Sequence, residues 1–219
     1  MNDHNWLDIT VPIAENMAYW QGDPPVRVER LSRIEEGDSC NMTLLSFTAH
    51  TGTHLDAPLH FLRSGCSMDS MPPSLMVGQA HVLSTGDAKH ISVDQLQSVN
   101  IRSGERILFR TSNSNTPWWT EKFRTAYVHL TPSAAHYLAD RNVALVGIDY
   151  LSVGSPGDQG EETHRILAEA GIWVLEGLNL KDVSPGQYEM VCLPMRIQAA
   201  EGAPCRALIR PCNSRRNVP

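Results

Sequence analysis

The stretch HTGTHLDAPLH, residues 50–60, places His50, His54, Asp56 and His60 within eleven residues. Four titratable groups in one segment are costly to bury unless a partner compensates them. Two imidazoles and a carboxylate are a common ligand set for a divalent metal ion, and they leave coordination positions open for water. We therefore predict that His50, His54 and Asp56 bind a metal ion.

His60 lies four residues beyond Asp56, after Pro58, so it is near the predicted metal without having to be a ligand. A neutral histidine beside a metal-activated water has a second use, as a general acid and base. The ordinary pKa of histidine, about 6.5, suits proton transfer at neutral pH. The sequence therefore makes His60 the candidate catalytic residue.

The residues around this motif favour an extended backbone over a helix. The preceding run NMTLLSFTA (41–49) is typical of a strand, and Gly52 and Pro58 disfavour a helix. We expect a strand that ends at His50, a turn through 51–53 and a short extended piece. Side chains alternate in such a piece, so His54 and Asp56 should point to one side and Leu55 to the other.

A second pair of candidate ligands, His164 and Glu176, lies far along the chain. His164 is expected in the first turn of a helix that ends at Gly171, and Glu176 in the following strand IWVLEG. If the chain reverses at Gly171, the two side chains reach a similar level. The residues alone leave two interpretations open: a second ligand pair, or a salt-bridged glutamate and a solvated histidine.

Length and composition suit one globular domain spanning residues 1–219, with a tail from about residue 212. The chain is 42% hydrophobic and its net charge is −6, so the fold is not built to hold nucleic acid. The first residues do not resemble a secretory signal, and no apolar run approaches the roughly 18 residues that span a bilayer. We expect no membrane association and a cytoplasmic location.

The five cysteines are odd in number, far apart and without a C-x-x-C pair. This pattern indicates reduced thiols, mostly in the core, and argues against disulfides and a cysteine-based zinc site. The cysteines are Cys40, Cys66, Cys192, Cys205 and Cys212.

The chain alternates short strand-like runs with few helices, which predicts a β-rich α/β fold with a mixed sheet. Two helices have clear start or stop signals: one begins at Thr131-Pro132, and one spans 161–171. A weaker helix follows Ser92, with Gln95 completing a capping-box pattern. The strand-like runs are residues 7–11, 26–34, 41–49, 79–84, 105–111, 143–149, 172–177, 188–195 and 205–210.

Some segments are predicted to lack regular structure. Residues 112–122 form a polar loop that carries Trp118 and Trp119, either as a lid or interface anchor or as two rings folded back on the core. Proline and glycine cluster in loops at 22–25, 154–160 and 184–186. The final residues, SRRNVP, are expected to form a solvated tail.

The sequence resembles the metal-dependent cyclase family, which includes bacterial kynurenine formamidase and isatin hydrolase. The family motif H-x-G-T-H-x-D-x-P-x-H matches residues 50–60 at every fixed position. WQGDPP, VGIDYLSV, AGIWVLEGLNLKDVSPGQYEMVCLPMRI and GAPCRALIRP are also similar to family stretches, in the same order along the chain. The resemblance implies a swivelling β/β/α fold, barrel-like in its mixed sheet, usually assembled as a homodimer or a larger oligomer.

The resemblance also implies roles for individual residues. His50, His54 and Asp56 would bind a first ion, and Asp56 would bridge to a second ion held by His164 and Glu176. His60 would be the proton donor and acceptor. Trp20, before the turn at Gly22-Asp23, would contact the substrate. Zn²⁺ is the expected ion, in one or two copies, and Mn²⁺ suits the same ligands.

The implied reaction is hydrolysis of an aryl formamide, with N-formylkynurenine as the expected substrate. The sequence departs from the formamidases at Thr53, where alanine is common, and at 150–152, where Thr-Pro-Ser is replaced by Tyr-Leu-Ser. Two alternatives therefore stay open: a hydrolase that opens a cyclic amide or lactone, as isatin hydrolase does, and a metal-binding protein without catalysis. A purely structural site would have no use for His60.

Overall fold

A computed structural model describes residues 6–212, which form ten strands, three α-helices and several single 3₁₀ turns. The strands are β1 (Leu7–Asp8), β2 (Arg27–Ser32), β3 (Met42–Ser46), β4 (His54–Asp56), β5 (Val77–Ser84), β6 (Arg106–Arg110), β7 (Leu145–Ile148), β8 (Trp173–Glu176), β9 (Gly186–Pro194) and β10 (Gly202–Pro211). The helices are α1 (Val93–Gln97), α2 (Pro132–Ala139) and α3 (Asp158–Glu169).

Seven strands close into a barrel in the order β10-β4-β8-β7-β6-β5-β9, and β9 pairs back to β10. Strands β5 to β8 run parallel, whereas β4, β9 and β10 make antiparallel pairs. Closure depends on the length of β10, because residues 202–204 pair with β4 and residues 205–211 pair with β9. The predicted β-rich, barrel-like α/β fold is confirmed.

Two apolar layers follow from the alternation of side chains along the strands. Leu55, Leu108 and Leu175 belong to a cluster with members on all seven barrel strands, so it fills the barrel. Their neighbours Ile107 and Val174 belong to a second cluster with the residues of the three helices. The barrel is therefore packed inside, and its parallel strands are covered by helices outside.

The helix signals differ in how well they locate the helix ends. Thr131 caps α2 by accepting a hydrogen bond from the Ala134 N–H at 3.2 Å, and the capping box at Ser92 is present at α1. The prediction for α3 was wrong at its start. Helix α3 begins at Asp158, within the predicted loop, so His164 lies in the second turn and not the first.

The runs 26–34 and 41–49 form a separate two-stranded sheet, β2–β3, outside the barrel. Strand β3 ends at Ser46, so the expectation that this strand reaches His50 was wrong. The chain turns over residues 49–53 before β4 begins. The run 7–11 contributes only Leu7–Asp8 as a regular strand.

Three further expectations concern single side chains and the chain end. Trp118 is buried and Trp119 packs edge-on against it, which favours the interpretation of folded-back rings. All five cysteines are free, as predicted, but Cys40 and Cys66 are exposed, so the assignment of most thiols to the core was wrong. The SRRNVP tail lies outside the described residues. Between residues 6 and 212, no helix is long and apolar enough to cross a membrane.

Candidate metal centre

The register of β4 against β8 builds the centre on the outer face of the barrel. His54 lies opposite Glu176 in this antiparallel pair, and Asp56 lies opposite Val174. His54 and Asp56 flank Leu55, whose side chain belongs to the barrel interior, so both polar side chains point outward; they share the side opposite Leu55, as predicted. Strand alternation therefore brings three polar side chains together beside helix α3.

The turn before β4 is held tightly against the end of β8. The Thr53 hydroxyl donates to the Gly177 carbonyl at 2.6 Å and accepts from the Val11 N–H at 2.9 Å. Gly177 has a φ of +71°, and a Cβ there would collide with the Gly52 carbonyl. Residue 177 therefore has to be glycine for the turn to approach the strand this closely.

All five predicted ligands are brought together around Asp56. His54 Nε2 lies 3.3 Å from Asp56 Oδ1 and 3.4 Å from Glu176 Oε2. His164 Nε2 lies 3.2 Å from Glu176 Oε1 and 4.0 Å from Asp56 Oδ2, and His50 Nδ1 lies 2.8 Å from Asp56 Oδ1. His164 and Glu176 are therefore in contact with Asp56 and His54, although more than a hundred residues separate the two pairs in the sequence.

Backbone carbonyls orient two of the imidazoles. The Nδ1 atom of His54 lies 2.9 Å from the Gly52 carbonyl, and that of His164 lies 2.7 Å from the Gly160 carbonyl. Each Nδ1–H therefore donates to a carbonyl and leaves Nε2 directed at the carboxylates. This is the arrangement in which outer hydrogen bonds fix a metal-ligating histidine.

The donor atoms fit a divalent metal ion. His54 Nε2 and Asp56 Oδ2 are buried and have no hydrogen-bond partner among the described residues. Ligands about 2.0–2.2 Å from one ion in tetrahedral geometry lie about 3.3–3.6 Å apart. The His54 distances of 3.3 and 3.4 Å match that spacing.

Two groups of donors lie close enough to share an ion, and Asp56 belongs to both. His54, Asp56 and Glu176 form one group, and His50, Asp56 and His60 form the other; within each, the donor atoms lie within 4.8 Å of one another. The predicted first group combined His50 with His54, whereas the geometry sets His54 with Glu176. A carboxylate common to two groups is the arrangement required for a bridging ligand.

The charges of the centre are strongly coupled. Burial raises the pKa of Asp56, but the charges of His50 and His54 and the hydrogen bond from His50 outweigh it and hold the pKa well below its usual range. Burial lowers the pKa of His54, yet Asp56 and Glu176 outweigh it and raise the pKa to about 10. Without a metal ion, protons on histidines therefore balance the two carboxylates.

His60 differs from the other histidines in its environment. It ends a 3₁₀ turn, Pro58–His60, and its ring stacks on that of His50 with centroids 3.9 Å apart. Desolvation lowers the pKa of His60 although the residue is partly exposed, and the charges of His50 and His164 lower it further against the opposing effect of Asp56. His60 is therefore held as a neutral imidazole at neutral pH.

A cavity of about 350 Å³ opens onto the centre. His50, His60, His164 and Glu176 contribute to its lining, and so does Trp20, whose ring packs edge-on against Phe123 with centroids 4.8 Å apart. The cavity therefore combines ligand and proton-transfer groups with an aromatic wall.

The sequence interpretation missed several residues that line this cavity. Phe61 directly follows the motif and stacks on the His164 ring with centroids 4.4 Å apart. Ser152 and Glu161 are brought in by β7 and α3, and no local pattern marks them. Asp23 was noted only as part of a turn, although its proximity to Trp20 in the sequence was a usable signal.

Comparisons with known proteins agree with this geometry. The family described as "Putative cyclase" matches residues 7–155. Kynurenine formamidase from Bacillus cereus (strain ATCC 14579) is 35% identical over 211 residues, which cover 96% of this chain and 100% of that protein.

Solved structures show the same architecture. A potential metal-dependent hydrolase with cyclase activity is 32% identical with a TM-score of 0.83, covering 95% of this chain and 98% of that one. Isatin hydrolase A from Ralstonia solanacearum shares the fold at a TM-score of 0.81 and 24% identity, over 94% of this chain and 92% of that one. The chain belongs to the cyclase family of metal-dependent hydrolases.

Proposed function

We propose that this protein hydrolyses the amide C–N bond of an aryl formamide, with N-formylkynurenine as the substrate and kynurenine and formate as the products. The observation that carries the proposal is the position of the donor groups around Asp56 at a cavity that also contains His60 and Trp20. The full-length similarity to kynurenine formamidases supports this substrate over other amides.

The metal would be held by His50, His54, Asp56, His164 and Glu176. Zn²⁺ suits these nitrogen and oxygen ligands, in one or two copies, and Mn²⁺ is the second candidate. When bound, a divalent ion supplies Lewis acidity that polarises the formyl carbonyl and lowers the pKa of water at the site.

His60 and Trp20 carry the remaining roles. Neutral His60 takes a proton from the attacking water at a ring nitrogen and returns one to the leaving aniline nitrogen. Trp20 stacks on the aryl ring and fixes its orientation in the cavity. The stack of His60 on His50 holds the base in place.

The substrate assignment is tested by a side-by-side comparison of kcat/KM for N-formylkynurenine and for isatin, each with added Zn²⁺ or Mn²⁺. We expect the formamide to be cleaved faster with at least one of the two ions. A higher value for isatin would assign the protein to cyclic amides instead. Bound metal without turnover of either compound would indicate a non-catalytic site.

We also propose that the protein forms a homodimer or larger homo-oligomer. The β2–β3 hairpin supports this, because Leu31, Leu44 and Leu45 are about half exposed on a two-stranded sheet. Such a hairpin is marginally stable until its apolar side chains are covered. Light scattering after size exclusion should give at least twice the chain mass, and Leu44→Glu should reduce it. A monomeric parent protein would contradict the proposal.

A further inference from the structure

Outside the metal centre, the charged residues that line the cavity are all acidic. Asp23 and Glu161 line it, and no lysine or arginine is among its described lining residues. Neither carboxylate forms an ion pair within the described part of the chain. A substrate that enters this cavity therefore meets two uncompensated negative charges.

Asp23 is fixed relative to both the aromatic wall and the metal centre. Its N–H donates to the Trp20 carbonyl at 3.1 Å, which closes a tight turn between the two residues. Its Oδ2 accepts from the Thr48 hydroxyl at 3.4 Å, and that hydroxyl lies 3.3 Å from the Thr51 hydroxyl, next to His50. The carboxylate is thus anchored, although it is only half-buried.

Asp23 also lies between the inner cavity and an outer groove. It lines the inner cavity and, in addition, an open outer groove of about 720 Å³ that includes Tyr19, Lys122 and Phe123. A substituent on an aryl ring stacked on Trp20 therefore passes the Asp23 carboxylate if it extends from the inner cavity into the outer groove.

We propose that Asp23 is a specificity-determining residue that pairs with a positively charged substituent of the aryl formamide. This inference rests on the proposed function. The side chain of N-formylkynurenine ends in a carbon that carries both an ammonium group and a carboxylate, and the ammonium group fits a carboxylate at the position of Asp23. A substrate whose only charge is a carboxylate faces repulsion at the same place.

Three substrates test the inference: formanilide and two meta-substituted derivatives, 3-(aminomethyl)formanilide and 3-formamidobenzoate. The parent protein should prefer the ammonium compound to the carboxylate compound by about tenfold or more in kcat/KM, as expected for one charge contact in a partly exposed site. Asp23→Asn should reduce that preference several-fold. Raising the ionic strength should weaken the preference in the parent.

A binding measurement tests the role of Asp23 without a bound metal ion. Benzylammonium, titrated into the metal-free protein and followed by ligand-observed NMR, should bind more weakly to Asp23→Asn than to the parent. Asp87→Asn is the matched control, because Asp87 is exposed and lines neither space. It should change neither the binding nor the substrate preference.

The outcomes separate the two proposals. Turnover of formanilide with equal rates for the two charged substrates, or an unchanged preference in Asp23→Asn, overturns the role of Asp23 alone. Lack of turnover of every formamide overturns the proposed function, and this specificity with it. An equal loss for all three substrates in Asp23→Asn would make Asp23 a residue that supports the fold of the site, and would also overturn the inference.

Discussion

His54 and Glu176 are register partners on the antiparallel strands β4 and β8, and His54 Nε2 lies 3.4 Å from Glu176 Oε2. The metal centre is therefore built into the pairing of the barrel, and its ligand spacing is set by backbone hydrogen bonds. Changes to single ligands can then be expected to alter the site without dissolving the fold.

Glu176→Gln should reduce the number of tight metal sites from two to one. The amide keeps the shape of the side chain but removes the charge that faces His54 and His164. Calorimetric titration with Zn²⁺, combined with elemental analysis, measures the stoichiometry. Glu169→Gln, at an exposed position of α3, is the matched control and should bind like the parent. Two tight sites in Glu176→Gln would contradict the shared-carboxylate arrangement.

His54→Ala should strongly reduce the metal content of the purified protein. His54 is buried, and its Nε2 lies 3.3 Å from Asp56 Oδ1 with no hydrogen-bond partner among the described residues, so a ligand role accounts for its position. His90→Ala removes an exposed histidine and serves as the control. If His54→Ala retains the full complement of metal by elemental analysis, the ligand assignment is wrong.

His60→Ala should keep its metal and lose turnover by about 10²–10⁴-fold, the usual contribution of a general acid and base. The measurement pairs kcat with metal content on the same sample. Parallel loss of metal and activity would make His60 a ligand, which its place in the donor group with His50 and Asp56 allows geometrically. An unchanged rate would remove His60 from the mechanism.

Metal affinity should fall as the pH is lowered from 8 to 6. The pKa of His54 in the metal-free protein is raised to about 10, so this histidine carries a proton throughout that range and must release it on binding. The apparent affinity should drop by about tenfold per pH unit for each proton displaced. Calorimetry in buffers of different ionisation enthalpy counts the protons, and a pH-independent affinity would refute the expectation.

Gly202→Ala should impair the centre without altering a ligand. A Cβ at residue 202 would lie 2.6 Å from His50 Cε1, so the imidazole has to move. We expect a clear loss of kcat/KM with little change in the melting temperature. The double variant with His50→Ala should be no worse than His50→Ala alone, because both changes act on one ring. Additive losses would show that Gly202 acts elsewhere.

The part of the centre formed by residues 50–60 could be predicted because its residues lie close together in the sequence. His50, His54, Asp56 and His60 lie within eleven residues, and Gly52 and Pro58 exclude a helix between them. Alternation along β4 then dictates that His54 and Asp56 share a side opposite Leu55, which the structure confirms. The helix caps at Thr131 and Ser92 were predictable for the same reason, since a cap depends on a few neighbouring residues.

The tertiary structure decided what depends on distant partners. The contact of Glu176 with His54 requires the β4–β8 register, and His164 reaches the centre only because α3 begins at Asp158 and packs beside β8. The position of the Trp20–Asp23 turn at the cavity, and the burial of Trp118, likewise follow from packing between segments far apart in the chain. Residue types and short spacings determine which chemistry is available. Pairing between strands determines which of these groups meet, because the paired strands β4 and β8 lie far apart in the sequence.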